Sequence, residues 1–162
     1  MNGKFNPTDG LTLIALNGYE SVVNDIKELI ETKSQRDDGM PFIPVDITAP
    51  TIKYFSNGEP DVQLGKRHVG GHDCVVITTG PGRPDMLLNT LWTLNHLAAH
   101  RASRIMLVTG YFPLGRSDKD EPGVRFATPP MMVNWFKAAS MHPNGVNCLF
   151  DRMVCADPHS IQ

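Results

Sequence analysis

Apolar positions along this chain fall into two rhythms that alternate from one end to the other. Residues 11–16 (LTLIAL), 73–79 (DCVVITT) and 105–109 (IMLVT) are short, unbroken, β-rich runs of the kind that form buried strands. Elsewhere the spacing changes to three and four. Val22, Val23, Ile26, Leu29 and Ile30 mark one helix face, Leu87, Leu91, Leu94 and Ala98 a second, and Met132, Val133, Phe136 and Ala139 a third. Alternation of the two signals predicts an α/β fold: a mostly parallel sheet with helices on both faces. Residues 1–162 read as that single domain.

Local signals refine the elements. Asn17 is expected to cap the first helix, with Glu20 three residues on in the capping-box position. That helix is expected to end near Glu31 and give way to a polar loop over residues 32–40. Residues 42–47 form another strand-like run, whose Pro41 and Pro44 suit a sheet edge. Asn57-Gly58 is a strong turn signal, with alternation following through Val62 and Leu64. Phe55, just before it, either closes a strand end in the core or points toward solvent or a partner. Pro84 and Pro129-Pro130 suit first helical turns. Gly110 is read as stopping the central strand, residues 121–128 as a mobile connection and residues 142–145 (HPNG) as a turn. A last apolar run over residues 147–156 is broken by Asp151 and Arg152.

Composition then removes several function classes. An apolar content of 41% and a charged content of 20% are those of a soluble globular protein long enough to bury a core. A net charge of −2 gives no electrostatic reason to bind nucleic acid or an anionic membrane. No apolar run is long enough to span a bilayer, and the polar start Met1-Asn2-Gly3-Lys4 is unlike a signal peptide. Cys74, Cys148 and Cys155 are odd in number and far apart, and two sit in apolar runs. They read as small hydrophobes in a reducing compartment, so the expected location is cytoplasmic.

Candidate chemistry gathers in residues 104–120, RIMLVTGYFPLGRSDKD. A buried strand there opens onto a loop carrying Arg116, Ser117, Asp118, Lys119 and Asp120. The carboxyl ends of strands in open α/β sheets are where ligands bind. The loop offers a cation for an anion and carboxylates for a metal or hydroxyl. A second strand-loop-helix passage, Gly80-Pro81-Gly82-Arg83-Pro84-Asp85, suits an anion but lacks both the Walker A lysine and the G-x-G-x-x-G pattern.

Three segments, in this order, resemble the ribose-phosphate pyrophosphokinase (phosphoribosyl pyrophosphate synthetase) family. They are Phe55-Ser56-Asn57-Gly58-Glu59, Tyr111-Phe112-Pro113-Leu114-Gly115-Arg116-Ser117-Asp118-Lys119 and Asp157-Pro158-His159-Ser160-Ile161-Gln162. They are similar to the family's F-S-[ND]-G-E, Y-F-x-Y-[AG]-R-Q-D-[KR] and D-L-H-x-x-Q-I, and the likeness covers roughly residues 50–162. The resemblance implies a phosphoribosyltransferase-like N-terminal domain. It also implies transfer of a diphosphoryl group from ATP to the 1-hydroxyl of ribose 5-phosphate, with Mg2+ as cofactor, giving phosphoribosyl pyrophosphate and AMP. By the same resemblance Arg116, Ser117 and Asp118 bind ATP. His159 is a magnesium-side ligand oriented by Asp157. Phe55, Asn57 and Glu59 reach into a neighbouring subunit's ATP pocket, which implies a homo-oligomer.

The chain departs from the family pattern in places. The glutamine after the loop arginine is Ser117, a basic position is Asp120, the leucine before the histidine is Pro158, and the arginine of V-R-G is Gly70. The family's second domain brings the ribose 5-phosphate loop and the catalytic loop, and neither has a counterpart in these residues. No catalytic residue is therefore assigned, and the expected role is the ATP-binding half, incomplete on its own. The alternative expectation is a non-catalytic homologue that binds nucleotide or serves as a regulatory or assembly subunit.

Overall fold

The computed structural model describes residues 10–36, 44–65, 68–80 and 82–159. Ten elements run in the order β1 (Leu11–Ala15), α1 (Glu20–Arg36), β2 (Val45–Thr48), β3 (Pro50–Tyr54), β4 (Pro60–Leu64), β5 (Asp73–Thr78), α2 (Pro84–Ala99), β6 (Arg104–Tyr111), α3 (Pro129–Ala139) and β7 (Phe150–Asp157). Strands β2-β1-β5-β6-β7 pair in that order and all in parallel, while β3 and β4 form a separate antiparallel hairpin. The main sheet is thus doubly wound, with its direction of growth reversing between β1 and β5.

Alternation along each strand sorts the core into two layers. Ile14, Cys74, Val76, Ile105 and Leu107 face α2 and α3, where Leu94, Leu97, Met132 and Phe136 close over them. Leu11, Leu13, Ala15, Val45 and Ile77 face α1 through Val23. Helices therefore cover both faces, although not equally. The α1 side is left open across β5 and β6 as an apolar groove of about 340 Å³ lined by Val75, Met106 and Val108, and on β7 Val154 is 50% exposed.

Register is pinned at the amino end of the sheet by Asp73 and Arg104, cross-strand neighbours on β5 and β6. The guanidinium donates from Nε to Oδ1 at 2.8 Å and from its terminal nitrogen to Oδ2 at 2.6 Å, a two-pronged pair that raises the arginine pKa. The polar interruption at Asp151 and Arg152 also has a structural role. Ile105 pairs with Phe150 but Met106 pairs with Arg152, so Asp151 is the extra residue of a β-bulge.

Four local expectations are corrected. Asn17 does not cap α1: it sits in the left-handed region (φ 57°) and its amide donates to Thr78 Oγ1 at 2.8 Å, tying the end of β1 to the end of β5. Helix α1 runs on past Glu31 to Arg36 instead of breaking at residue 32. Glu31 is held there by accepting the Val45 N–H at 3.2 Å, a bond to the next strand. Gly110 does not end β6 but lies inside it, where a Cβ would come 3.0 Å from the Tyr19 hydroxyl oxygen. Of the cysteines only Cys74 is buried; Cys148 is exposed and Cys155 half-buried. The edge position expected for the second strand holds for β2, while Pro41 and Phe42 lie outside the described residues.

The core account makes a stability prediction on α3. Phe136 is 1% exposed and stacks on Phe150 with ring centroids 6.1 Å apart. Phe136→Ala is expected to cost about 3–5 kcal/mol, read as a fall in the urea unfolding midpoint. Asn134→Ala, on the exposed side of the same helix, should stay within about 0.5 kcal/mol.

Candidate functional site

Three loops meet at the carboxyl edge of β5, β6 and β7, and small residues let them touch. After β6 the backbone makes two tight turns, Gly115 N–H to Phe112 O at 3.1 Å and Ser117 N–H to Leu114 O at 3.0 Å. Leu114 between them lies at φ 59°, a conformation that costs a branched residue energy and that gathers at functional sites. On one side this loop packs against the β5–α2 connection. A Cβ on Gly80 would meet Pro113 at 3.2 Å, and one on Gly82 would meet Leu114 at 2.5 Å. The glycines after β5 therefore make room for a neighbouring loop. Arg83 beside them folds onto Asp85 at 2.9 Å and draws the aspartate pKa down; Pro81 lies outside the described residues.

On its other side the loop meets the end of β7. A Cβ on Gly115 would lie 3.1 Å from Phe112 O, 3.3 Å from Pro158 O and 3.4 Å from His159 Cβ. Two of those contacts are backbone oxygens, which cannot swing aside. Glycine is what permits the approach. Its consequence is that Arg116 and His159, forty-three positions apart in sequence, line one cleft of about 490 Å³ with Tyr111, Leu114, Gly115 and Ser117.

The side chains in this cleft are set by their own loops. Arg116 is exposed and makes no salt bridge with any described residue. Its guanidinium is thus a free, permanent cation at the mouth. His159 stands at φ 67°, fixed there by its N–H donating to Asp157 Oδ1 at 2.9 Å. Asp157 orients His159 through the backbone, and one of its carboxylate oxygens is spent doing so. The Tyr111 ring lies 6.2 Å from the His159 ring, and its buried hydroxyl has no hydrogen-bond partner among the described residues.

The other expected residues are placed as follows. Ser117 lines the cleft, and its carbonyl accepts the Thr128 N–H at 2.8 Å. Asp118 is half-buried just beyond the cleft, with Asp120 exposed further along. Phe55, Asn57 and Glu59 occupy the exposed β3–β4 turn, and none of them lines the cleft. There Asn57 Oδ1 accepts the Glu59 N–H at 3.1 Å, so the Asn57 side-chain carbonyl builds the turn. Ser160, Ile161 and Gln162 lie outside the described residues.

Three contributors were given no role by the sequence reading, although Tyr111 and Gly115 stand in the family-like segment. Gly115 is the contact that joins the loops. Tyr111 brings an unpaired hydroxyl to the site. Thr128 closes the loop from behind, its Oγ1 donating to Leu114 O at 3.0 Å. For Thr128 the available signal was its place directly before Pro129-Pro130, a position that reads as a helix cap.

As a magnesium site the donor set is thin. Among the described residues no group of three His, Cys, Asp or Glu side chains converges. Magnesium takes oxygen ligands, keeps much of its water, and is held by one or two carboxylates together with substrate phosphates. Asp157, whose other carboxylate oxygen has no partner among the described residues, fits that second mode; the His159 nitrogen does not by itself favour magnesium.

The comparisons with known proteins fit this geometry. The family model described as the N-terminal domain of ribose phosphate pyrophosphokinase matches residues 11–139. That stretch includes the hairpin, β6 and the Arg116 loop, and stops short of β7. No curated protein sequence matches the chain. A crystal structure of phosphoribosylpyrophosphate synthetase from Mycobacterium smegmatis has the same fold, with TM-score 0.70 at 23% identity over 94% of this chain. The match spans 44% of that protein's length. A model covering most of the chain, on a fold shared with that synthetase, is decisive: the chain belongs to the family of the N-terminal domain of ribose phosphate pyrophosphokinase.

Proposed function

We propose that this chain is the ATP-binding half of a cytoplasmic ribose-phosphate diphosphokinase. In the reaction the 1-hydroxyl oxygen of ribose 5-phosphate attacks the β-phosphorus of ATP. The bond to the α,β-bridging oxygen breaks, AMP leaves with that oxygen, and the hydroxyl proton passes to solvent. Such transfer asks a protein mainly to hold phosphates in line and to offset growing charge. Ribose 5-phosphate is assigned to a second half, which alone can bring the nucleophile to ATP.

One observation carries the reading: Arg116 and His159 share a cleft at the tips of adjacent parallel strands, locked together by the Gly115 approach. Arg116 grips phosphate oxygens with paired donors and lays its plane along adenine. Ser117 and Asp118 follow on the same turn, within reach of the same nucleotide. Bound magnesium supplies charge neutralisation on the polyphosphate. Asp157 offers its free oxygen toward that ion, with His159 beside it. Phe55, 58% exposed, is assigned with Asn57 and Glu59 to the nucleotide of a neighbouring subunit in a homo-oligomer. Ser117, Asp120 and Pro158 favour a second reading, a nucleotide-binding regulatory or assembly subunit without chemistry of its own.

Calorimetric titration with Mg-ATP tests the first point. Arg116→Ala removes charge-assisted hydrogen bonds worth roughly 1.5–3 kcal/mol, so the Kd should rise roughly tenfold to a hundredfold. An unchanged Kd would overturn the nucleotide assignment. Gly115→Val should strain the loop contact by about 1–3 kcal/mol and weaken ATP about tenfold or more, with the far-UV spectrum retained. ATP binding without AMP release, measured with ribose 5-phosphate and the second half supplied, would select the regulatory reading.

A further inference from the structure

Tyr111 enters the Arg116 cleft as the last residue of β6. Along that strand it follows Ile105, Leu107 and Thr109 on the side that faces α2 and α3. Its carbonyl oxygen accepts the Thr109 hydroxyl at 2.7 Å, and in the register of the sheet it lies opposite Asp157 on β7. The ring is thus carried on paired, regular backbone. Its hydroxyl is nevertheless buried without a hydrogen-bond partner among the described residues. Leaving such a group unpaired costs stability, and orphans of this kind in native proteins call for a specific explanation.

His159 is the neighbour with the matching need. The backbone N–H is tied to Asp157 Oδ1 at 2.9 Å, but the ring itself makes no hydrogen bond among the described residues. Its centroid lies 6.2 Å from that of Tyr111, with the two planes at 57°. The histidine side chain is exposed and free to turn, whereas the half-buried phenol is held by its strand. Orientation of the imidazole is therefore the freedom left at this point of the cleft, and ordering it is part of the cost of binding a ligand there.

What an imidazole can do depends on its hydrogen bonds. In the neutral ring one nitrogen donates and the other accepts, and the partner of one fixes the role of the other. A hydroxyl donating to one nitrogen leaves the proton on the opposite nitrogen, which then serves as an N–H donor. Beside the Arg116 guanidinium, such a donor suits the oxygens of a phosphate. Magnesium, which takes oxygen ligands, gains nothing from it. Resting on the nucleotide reading above, we propose that Tyr111 is a positioning residue of the cleft: its hydroxyl donates to the His159 ring, and the opposite imidazole N–H donates to a polyphosphate oxygen of ATP.

Calorimetric titration with ATP, in Mg2+ and again in EDTA, tests it. Tyr111→Phe should raise the Kd about threefold to tenfold, by the same factor in both buffers. Its urea midpoint should hold or rise, because the substitution removes an unpaired buried group and breaks no hydrogen bond. His159→Ala should weaken ATP as well, and the Tyr111→Phe/His159→Ala double variant should bind no more weakly than His159→Ala alone. An unchanged Kd in Tyr111→Phe would overturn the positioning role. So would losses that add in the double variant, a lowered urea midpoint, or an effect seen only with Mg2+. Failure of the unmodified chain to bind ATP at all would instead remove the nucleotide reading, and this inference with it.

Discussion

The candidate site depends on one close approach of backbone to backbone, at Gly115. Parallel strands β6 and β7 bring their carboxyl ends side by side, but strand pairing alone does not decide where the following loops go. A position with no side chain, 3.1 Å and 3.3 Å from two carbonyl oxygens when a Cβ is built on it, lets the loops pack without a gap. Arg116 is the next residue on one strand's loop and His159 lies two residues past the end of the other. A charge and an imidazole are thereby set on one cleft by a steric allowance, without any bond between them.

Strain and an unpaired donor surround that contact. Leu114 and His159 both occupy the left-handed region, and the Tyr111 hydroxyl is buried without a partner among the described residues. Each costs stability, and the surrounding packing carries the cost: Pro113 sits buried against Gly80, and Thr128 ties the back of the loop. Such concentrated expense at the edge of an otherwise regular sheet is how binding sites differ from scaffolds. The amino edge shows the contrast, with Asp73 and Arg104 fully paired and the register secured.

Much of the scaffold was legible in sequence because burial writes itself as periodicity. The unbroken runs became β1, β5 and β6, and the three apolar stripes became α1, α2 and α3. The hidden parts were those governed by contacts distant in sequence. Residues 32–36 are polar, so nothing in their pattern reveals a helix held by a bond from Glu31 to Val45. Asn17 looks like a cap until Thr78 claims its amide. Arg116 and His159 were picked out by family motifs, yet their meeting depends on Gly115 touching residues forty-three and forty-four positions away.

The measurement that bears most directly on this account is a nuclear magnetic resonance titration with Mg-ATP that follows the Arg116 Nε–H and His159 Cε1–H signals in one sample. Both should move along a single binding curve with one Kd, because one ligand fills the cleft that the two groups share. Signals that titrate with different constants, or an arginine signal that moves while the histidine stays still, would contradict it.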